Sequence, residues 1–188
     1  MNRTTINTDP EGSPEDVAAL VARAQRDPLQ FGPLYDRYVR QVYRYILSRV
    51  MDAADADDLT AQTFLAALEA LPGYRERGCF SAWLFSIARS KLMDHFRRNP
   101  PAEPVAESLP GSRGDLLGDL IRAQEVRRVA TLIAGLEEGE RELIRLRYVA
   151  ELTFAEMARL LDRKEDATKK AFYRLMERLQ RQMEGEHA

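Results

Sequence analysis

Residues 99–114, NPPAEPVAESLPGSRG, hold four prolines and two glycines and no apolar periodicity. Proline removes a backbone donor and fixes φ, so no helix propagates through such a run, and its composition is that of an extended, flexible linker. Each flank must therefore bury apolar surface of its own. On both flanks apolar residues recur at helical spacing, and no stretch alternates as a half-buried strand does. The fold class that follows is all-α: two small helical domains joined by a flexible linker. We place a disordered leader at 1–15, a first domain at 16–98, the linker at 99–116 and a second domain at 117–184.

Ser13-Pro14-Glu15-Asp16 reads as a helix start, with a Ser N-cap, proline at the first helical position and acids in the first turn. Val17, Leu20, Val21 and Ala24 follow on one face, and Asp27-Pro28 closes the helix. A second helix is predicted from about Phe31 to Val50, with Leu34, Tyr38, Val42, Tyr45 and Ile46 facing a core. Two more follow, separated by Leu71-Pro72-Gly73: Ala61, Phe64, Leu65 and Leu68 mark the first, and Phe80, Trp83, Leu84 and Ile87 the second.

These last two helices carry opposite charge. From Asp52 to Glu69 there are five acids and no Lys or Arg, whereas from Arg75 to Arg98 six basic residues stand against Glu76 and Asp94. The whole chain has a net charge of only −2, so nucleic-acid affinity has to come from local patches. Asp58, Gln62, Ala66 and Glu69 share a strip of the acidic helix; acids at a helix start also cap it and complement its dipole, by about 0.3–1 kcal/mol each. A metal-binding reading of Asp55-Ala56-Asp57-Asp58 fails on geometry, because Asp55 and Asp57 point to different sides of a helix. The basic helix groups Ser86, Arg89, Ser90, Met93 and Arg97 on one face, opposite Leu84, Ala88 and His95. The loop before it, Gly73 to Cys79, sets Tyr74 beside Arg75 and Arg77, a composition suited to holding an extruded base by stacking and charge. Trp83, at helical spacing, reads as core.

The stretch DADDLTAQTFLAALEALPGYRERGCFSAWLFSIARSKLMDHFRR, residues 55–98, resembles region 2 of sigma-70 family factors of the extracytoplasmic-function (ECF) group. There a D-x-x-D-L-x-Q-x-T-F helix precedes a loop and an F-x-x-W-L-x-x-I-A-x-x-x-x-x-D-x-x-R-R helix. The resemblance implies that Asp55, Asp58, Leu59, Gln62 and Phe64 bind core RNA polymerase, through its beta and beta-prime subunits. It also implies that Tyr74, Arg75, Arg77, Ser86, Arg89, Ser90, Met93 and Arg97 meet the minus 10 element as single-stranded DNA with a flipped base. Ser86 replaces a common Arg of that pattern and Ser90 a common Asn.

Past the linker, helical segments are predicted at about Leu117 to Gly135, Glu138 to Val149, Thr153 to Leu161 and Glu165 to Gln182. Phe154, Met157, Ala158 and Leu161 sit at i, i+3, i+4 and i+7, as do Phe172, Leu175, Met176 and Leu179, and a short polar turn joins the two sets. That is a helix-turn-helix. Thr153 with Glu156 forms a capping box for its first helix. From Arg163 to Arg181 seven basic residues face three acids, and Lys164, Lys169, Lys170, Tyr173 and Arg174 lie where a second helix enters the major groove, so they are expected on duplex DNA, which the resemblance to sigma factors implies is the minus 35 element. The run from Leu136 to Leu179 resembles sigma region 4 of the same group, with departures at Asp162, where Gly is usual, at Arg163, and at Ala171 and Met176.

The function implied is that of a bacterial sigma factor directing promoter-specific transcription initiation, a specificity subunit and not an enzyme. Its partners would be core RNA polymerase, promoter DNA and an anti-sigma factor, and the resemblance brings no cofactor. One rival is a helix-turn-helix regulator that acts without being a polymerase subunit; another is a decoy that binds an anti-sigma partner but no promoter. A single cysteine, Cys79, and two histidines, His95 and His187, give neither a disulfide framework nor a Cys/His zinc site. No apolar run nears the ~20 residues a membrane span needs, and no signal peptide is evident, so a cytoplasmic location without membrane insertion is expected.

Overall fold

The computed structural model describes residues 14–75, 79–100 and 128–185, all helix, turn or irregular connection without a strand among them. The leader, Arg77, most of the linker and the first part of the predicted 117–135 helix lie outside the described residues. In the first domain α1 is Pro14–Arg26, α2 Gly32–Val50, α3 Ala53–Ala70 and α4 Phe80–Arg98, with short 3-10 turns at Pro28–Phe31 and Leu71–Gly73. In the second, α5 is residues 128–134, α6 is Glu138–Ile144, α7 Phe154–Leu160 and α8 Glu165–Gly185.

Local chemistry sets these boundaries. The Asp27 side chain accepts from Leu29 N at 3.0 Å and opens the turn after α1. Asp52 accepts from Asp55 N at 2.9 Å and caps α3. Between them α2 ends where Met51 takes a left-handed conformation (φ 59°) and its N–H reaches Leu47 O at 2.9 Å. The five apolar residues predicted to face inward from α2 are all buried. They pack against Ala56, Leu59, Phe64 and Ala67 of α3 and Leu84, Phe85, Ala88 and Leu92 of α4. Gln25 at the end of α1 donates to the carbonyls of Leu71, at 2.9 Å, and Tyr74, at 2.7 Å, and so pins the start of the α3–α4 loop.

The capping box is present: Thr153 N donates to Glu156 at 2.7 Å and Glu156 N to the Thr153 hydroxyl at 3.3 Å. After α6 the backbone widens into one π turn, Arg145–Val149, closed by Ala150 N to Arg145 O at 2.9 Å. The turn of the helix-turn-helix passes through Asp162 at φ 52°, the left-handed region that a side chain disfavours, which is the physical reason glycine is usual there.

Although the sequence reads as two tethered domains, the described parts share one core. Leu143, Leu146, Ala150, Leu152, Met157 and Phe172 of the second domain are continuous with the apolar interior of the first, while Leu136, Leu175 and Leu179 form a smaller cluster. The second domain lies across α2 and α4. At the centre is Glu142, only 5% exposed. Its carboxylate accepts from the Tyr45 hydroxyl at 2.7 Å and from Arg49 at 2.8 Å, with Arg89 at 3.4 Å and Arg145 at 3.8 Å. A buried carboxylate left unpaired is strongly destabilising, so these donors come as a set. Burial first, and then the adjacent Glu142 charge, hold the Tyr45 phenol far above its ordinary range, and it stays a donor.

Outside the core, Arg44 meets Glu151 at 2.9 Å, the Ser81 hydroxyl donates to Glu156, and Arg89 donates to Leu160 O at 3.3 Å. Glu138 bridges Arg49 and Arg145, each at 2.8 Å. Partial burial opposes its ionisation, but Arg145, Arg49 and Arg141 outweigh that and hold it below the usual carboxylate range.

Two stability changes follow. Asp162→Gly should raise the unfolding free energy in urea by about 0.5–1 kcal/mol by relieving the left-handed turn, and an unchanged midpoint would mean that the Asp side chain compensates for its backbone. Tyr45→Phe keeps the ring against Phe85 but removes one donor from Glu142, and should cost about 1–3 kcal/mol in the same measurement; no drop in stability would show that water replaces the hydroxyl.

Candidate nucleic-acid and polymerase interfaces

The residues expected to meet polymerase divide into two kinds. Asp58 and Gln62 are exposed on α3. Asp55 is half-buried and turned to α4, its carboxylate 3.7 Å from His95 Nε2. Leu59 and Phe64 are 3% and 4% exposed, so as surface contacts both are corrected: they hold α3 from behind. The Phe64 ring lies edge-on to Tyr35, 4.8 Å between centroids. The opposite correction applies to Leu65, read as a core position but 58% exposed. It stands one turn beyond Gln62, and with Asp58 and Glu69 these make an acidic strip with one apolar residue at its middle. Thr60 and Thr63 are buried, out of reach of a modifying enzyme in the folded chain.

The loop and α4 enclose a cleft of about 700 Å³. Tyr74 and Trp83 form its aromatic wall, ring centroids 4.6 Å apart and 42° between planes, with Phe80 behind both. Arg75, Cys79 and Ser86 line the rest on the first-domain side. Trp83, read as core, is only half-buried and belongs to this wall. An aromatic wall of tilted rings with a cation at the rim offers a π-face and a charge to a flat, unstacked base. Arg159 and Leu160 of α7 close the far side. Nothing in the sequence brings these two to the cleft, because their neighbours there lie some 80 positions away.

Along α4, Ser86, Ser90, Met93 and Arg97 are exposed together, with Met93 70% accessible. The Ser86 hydroxyl turns back to donate to Trp83 O at 2.6 Å, and Arg97 pairs with Asp94 at 2.8 Å. Arg89, expected on the same open face, is instead half-buried and held by Glu142 and Leu160 O.

On α8 the structure brings the expected set together. Lys164, at the turn before it, and Lys169, Lys170, Tyr173 and Arg174 are exposed, while Phe172, Leu175 and Leu179 are buried on the other side. Tyr173 leans on Phe154 and Phe172, with centroids at 5.8 and 5.9 Å. Arg178 is drawn off the basic face by Glu140 at 2.6 Å, and that hydrogen bond is the main reason the Glu140 carboxyl sits below its ordinary range. Ala171 and Met176 are half-buried, so the two departures from the region 4 pattern sit at the edge of the core rather than at the centre of the exposed face. None of the described helices is long and apolar enough to cross a membrane.

Residues 34–100 match the family described as sigma-70 region 2, and residues 127–179 that described as sigma-70, region 4. The chain is similar to the ECF RNA polymerase sigma factor BldN of Streptomyces coelicolor, 36% identical over 86% of this chain and 64% of BldN. It is similar to SigM of Bacillus subtilis, 28% identical over 78% of this chain and 90% of the relative. With SigD of Mycobacterium tuberculosis it shares 34% identity over 73% of this chain and 69% of that one. Among solved structures it resembles CnrH in complex with the cytosolic domain of CnrY, with a TM-score of 0.63 and 25% identity, covering 89% of this chain and 96% of CnrH.

Proposed function

The chain belongs to the sigma-70 family, in its extracytoplasmic-function group, and from that premise we propose that it binds core RNA polymerase and directs initiation at promoters of its own specificity. The observation that carries the reading is the joint presence of both family regions, each with its own solvent-facing surface: the α3 strip and cleft in one, the basic α8 in the other. A helix-turn-helix regulator acting alone would have use for α8 but none for an aromatic cleft beside an acidic docking helix.

In this reading Asp58 and Gln62, with Leu65 between acids, meet the polymerase, while Leu59 and Phe64 set the stance of the helix. Asp55 orients α3 against α4 through His95. A flipped base of the minus 10 strand stacks on Tyr74 and Trp83, with Arg75 and Arg77 supplying charge to the backbone. Ser86, Ser90, Met93, Arg89 and Arg97 extend the strand-binding edge. Lys164, Lys169, Lys170, Tyr173 and Arg174 enter the minus 35 major groove. The bond-making chemistry belongs to the polymerase, so the chain is a specificity subunit rather than an enzyme, and it works in the cytoplasm where polymerase and DNA are. An anti-sigma partner is part of the proposal, by analogy with CnrH, which has been seen bound to the cytosolic domain of CnrY.

Run-off transcription with bacterial core polymerase, on DNA upstream of this gene and on pooled genomic fragments, should give new transcripts only when the protein is added. Asp58→Lys with Gln62→Lys should weaken binding to core while helicity by circular dichroism stays the same, and an unaltered affinity would count against the α3 surface.

Lys170→Ala with Arg174→Ala should weaken binding to a duplex carrying the minus 35 element and flatten the salt dependence by about one unit of slope for each phosphate no longer neutralised. A slope that stays put would mean that α8 faces away from DNA.

A further inference from the structure

The cleft offers more than a π-face. Its volume of about 700 Å³ lies within the roughly 300–1,000 Å³ that small-molecule sites occupy, and it opens where two domains meet, a common place for such sites. One wall is aromatic, with Tyr74 and Trp83 in front and Phe80 behind. A guanidinium stands on either side, Arg75 from the loop and Arg159 from α7, both on exposed residues. Among the described residues that line the cleft there is no acid. Glu156, one turn before Arg159, has its carboxylate engaged by Thr153 and Ser81. The local field therefore favours an anion.

A stacking wall with two cations matches a nucleotide that carries more than one phosphate, because each planar guanidinium pairs with a phosphate as a bidentate fork. Arg159 and Leu160 stand across the far side. A continuous strand has to leave such a cleft at both ends, whereas a free nucleotide does not. The Ser86 hydroxyl donates to Trp83 O at 2.6 Å, so the extent of stacking decides between bases, and that favours the larger purine.

We propose that this cleft is a binding site for a free purine nucleoside 5′-diphosphate, with the base against Tyr74 and Trp83 and the phosphates held by Arg75 and Arg159. The base lies where a flipped promoter base is proposed to go, so nucleotide and strand exclude each other. Only that competition rests on the promoter reading; the site itself rests on the cleft.

The test titrates ADP into the full chain and reads the fluorescence of Trp83, the only tryptophan in the sequence, with adenosine and UDP as comparisons. ADP should change the emission saturably. Adenosine, which leaves both guanidiniums without a phosphate, should bind about a hundredfold more weakly, and Arg159→Glu should weaken ADP by a similar factor. UDP should bind about fivefold more weakly, through its smaller stacking area. Arg159→Lys keeps the charge and should cost no more than about fivefold. Arg159 is exposed, so both variants should keep the urea midpoint of the unaltered chain. No saturable response to ADP overturns the site, and adenosine that binds as well as ADP overturns the role of the guanidiniums. ADP affinity indifferent to Arg159→Glu overturns the part given to the second domain, and UDP as tight as ADP overturns the purine assignment. Run-off transcription on the same preparation separates the two readings: transcripts without ADP binding sink this inference alone, and ADP binding without transcripts leaves it standing while the sigma-factor reading fails.

Discussion

A buried carboxylate cannot be left alone, and much of the arrangement of this molecule follows from where Glu142 sits. Its charge is in the interior of the joined domains, so the surrounding donors are obligatory: Tyr45 and Arg49 from α2, Arg89 from α4 and Arg145 from the turn that continues its own helix. Because three of the four come from the first domain, the carboxylate fixes how the second domain meets it. The apolar surfaces around it, Leu146, Leu152 and Met157 against the α2 and α4 side chains, supply the area. Apolar burial is non-directional, whereas the guanidinium fork and the phenol hydroxyl accept the carboxylate in few geometries, and so they select the pose.

Helix spacing, caps and the turn were legible in the sequence because they are local. The α2 stripe, the Thr153 box with Glu156 and the inward positions of α8 all depend on residues a few places apart. The joining of the two domains was not legible, because it rests on pairs such as Tyr45 with Glu142 and Arg44 with Glu151, about a hundred positions apart across a proline-rich run. Charge counting treats these acids as surface. In the candidate interfaces the misreadings came from faces that are crowded on both sides. Leu59 and Phe64 occupy motif positions that support the helix, and spacing alone assigns Leu65 to the core although the packed stripe of α3 runs through Phe64 and Ala67 instead.

The exposed surfaces differ in how they are held. On α8 the basic residues ride on a long helix whose other side is fixed by Phe172, Leu175 and Leu179, so the array is rigid and ready. Around the cleft the groups come from an irregular loop, a helix start and a neighbouring domain. In the proposed reading the helix-borne array meets duplex DNA, which arrives with its shape set, and the cleft meets a melted strand, which does not.

Gln25 belongs to none of these surfaces, yet its amide holds the carbonyls of Leu71 and Tyr74 at once. Helix α1 is thereby a lever whose end is tied to the aromatic wall. The α1 end and the backbone that carries the Tyr74 ring are therefore held together by hydrogen bonds. The cleft proposed to receive a base is thus coupled, through the turn at Leu71–Gly73, to a helix that lies outside the proposed DNA surfaces.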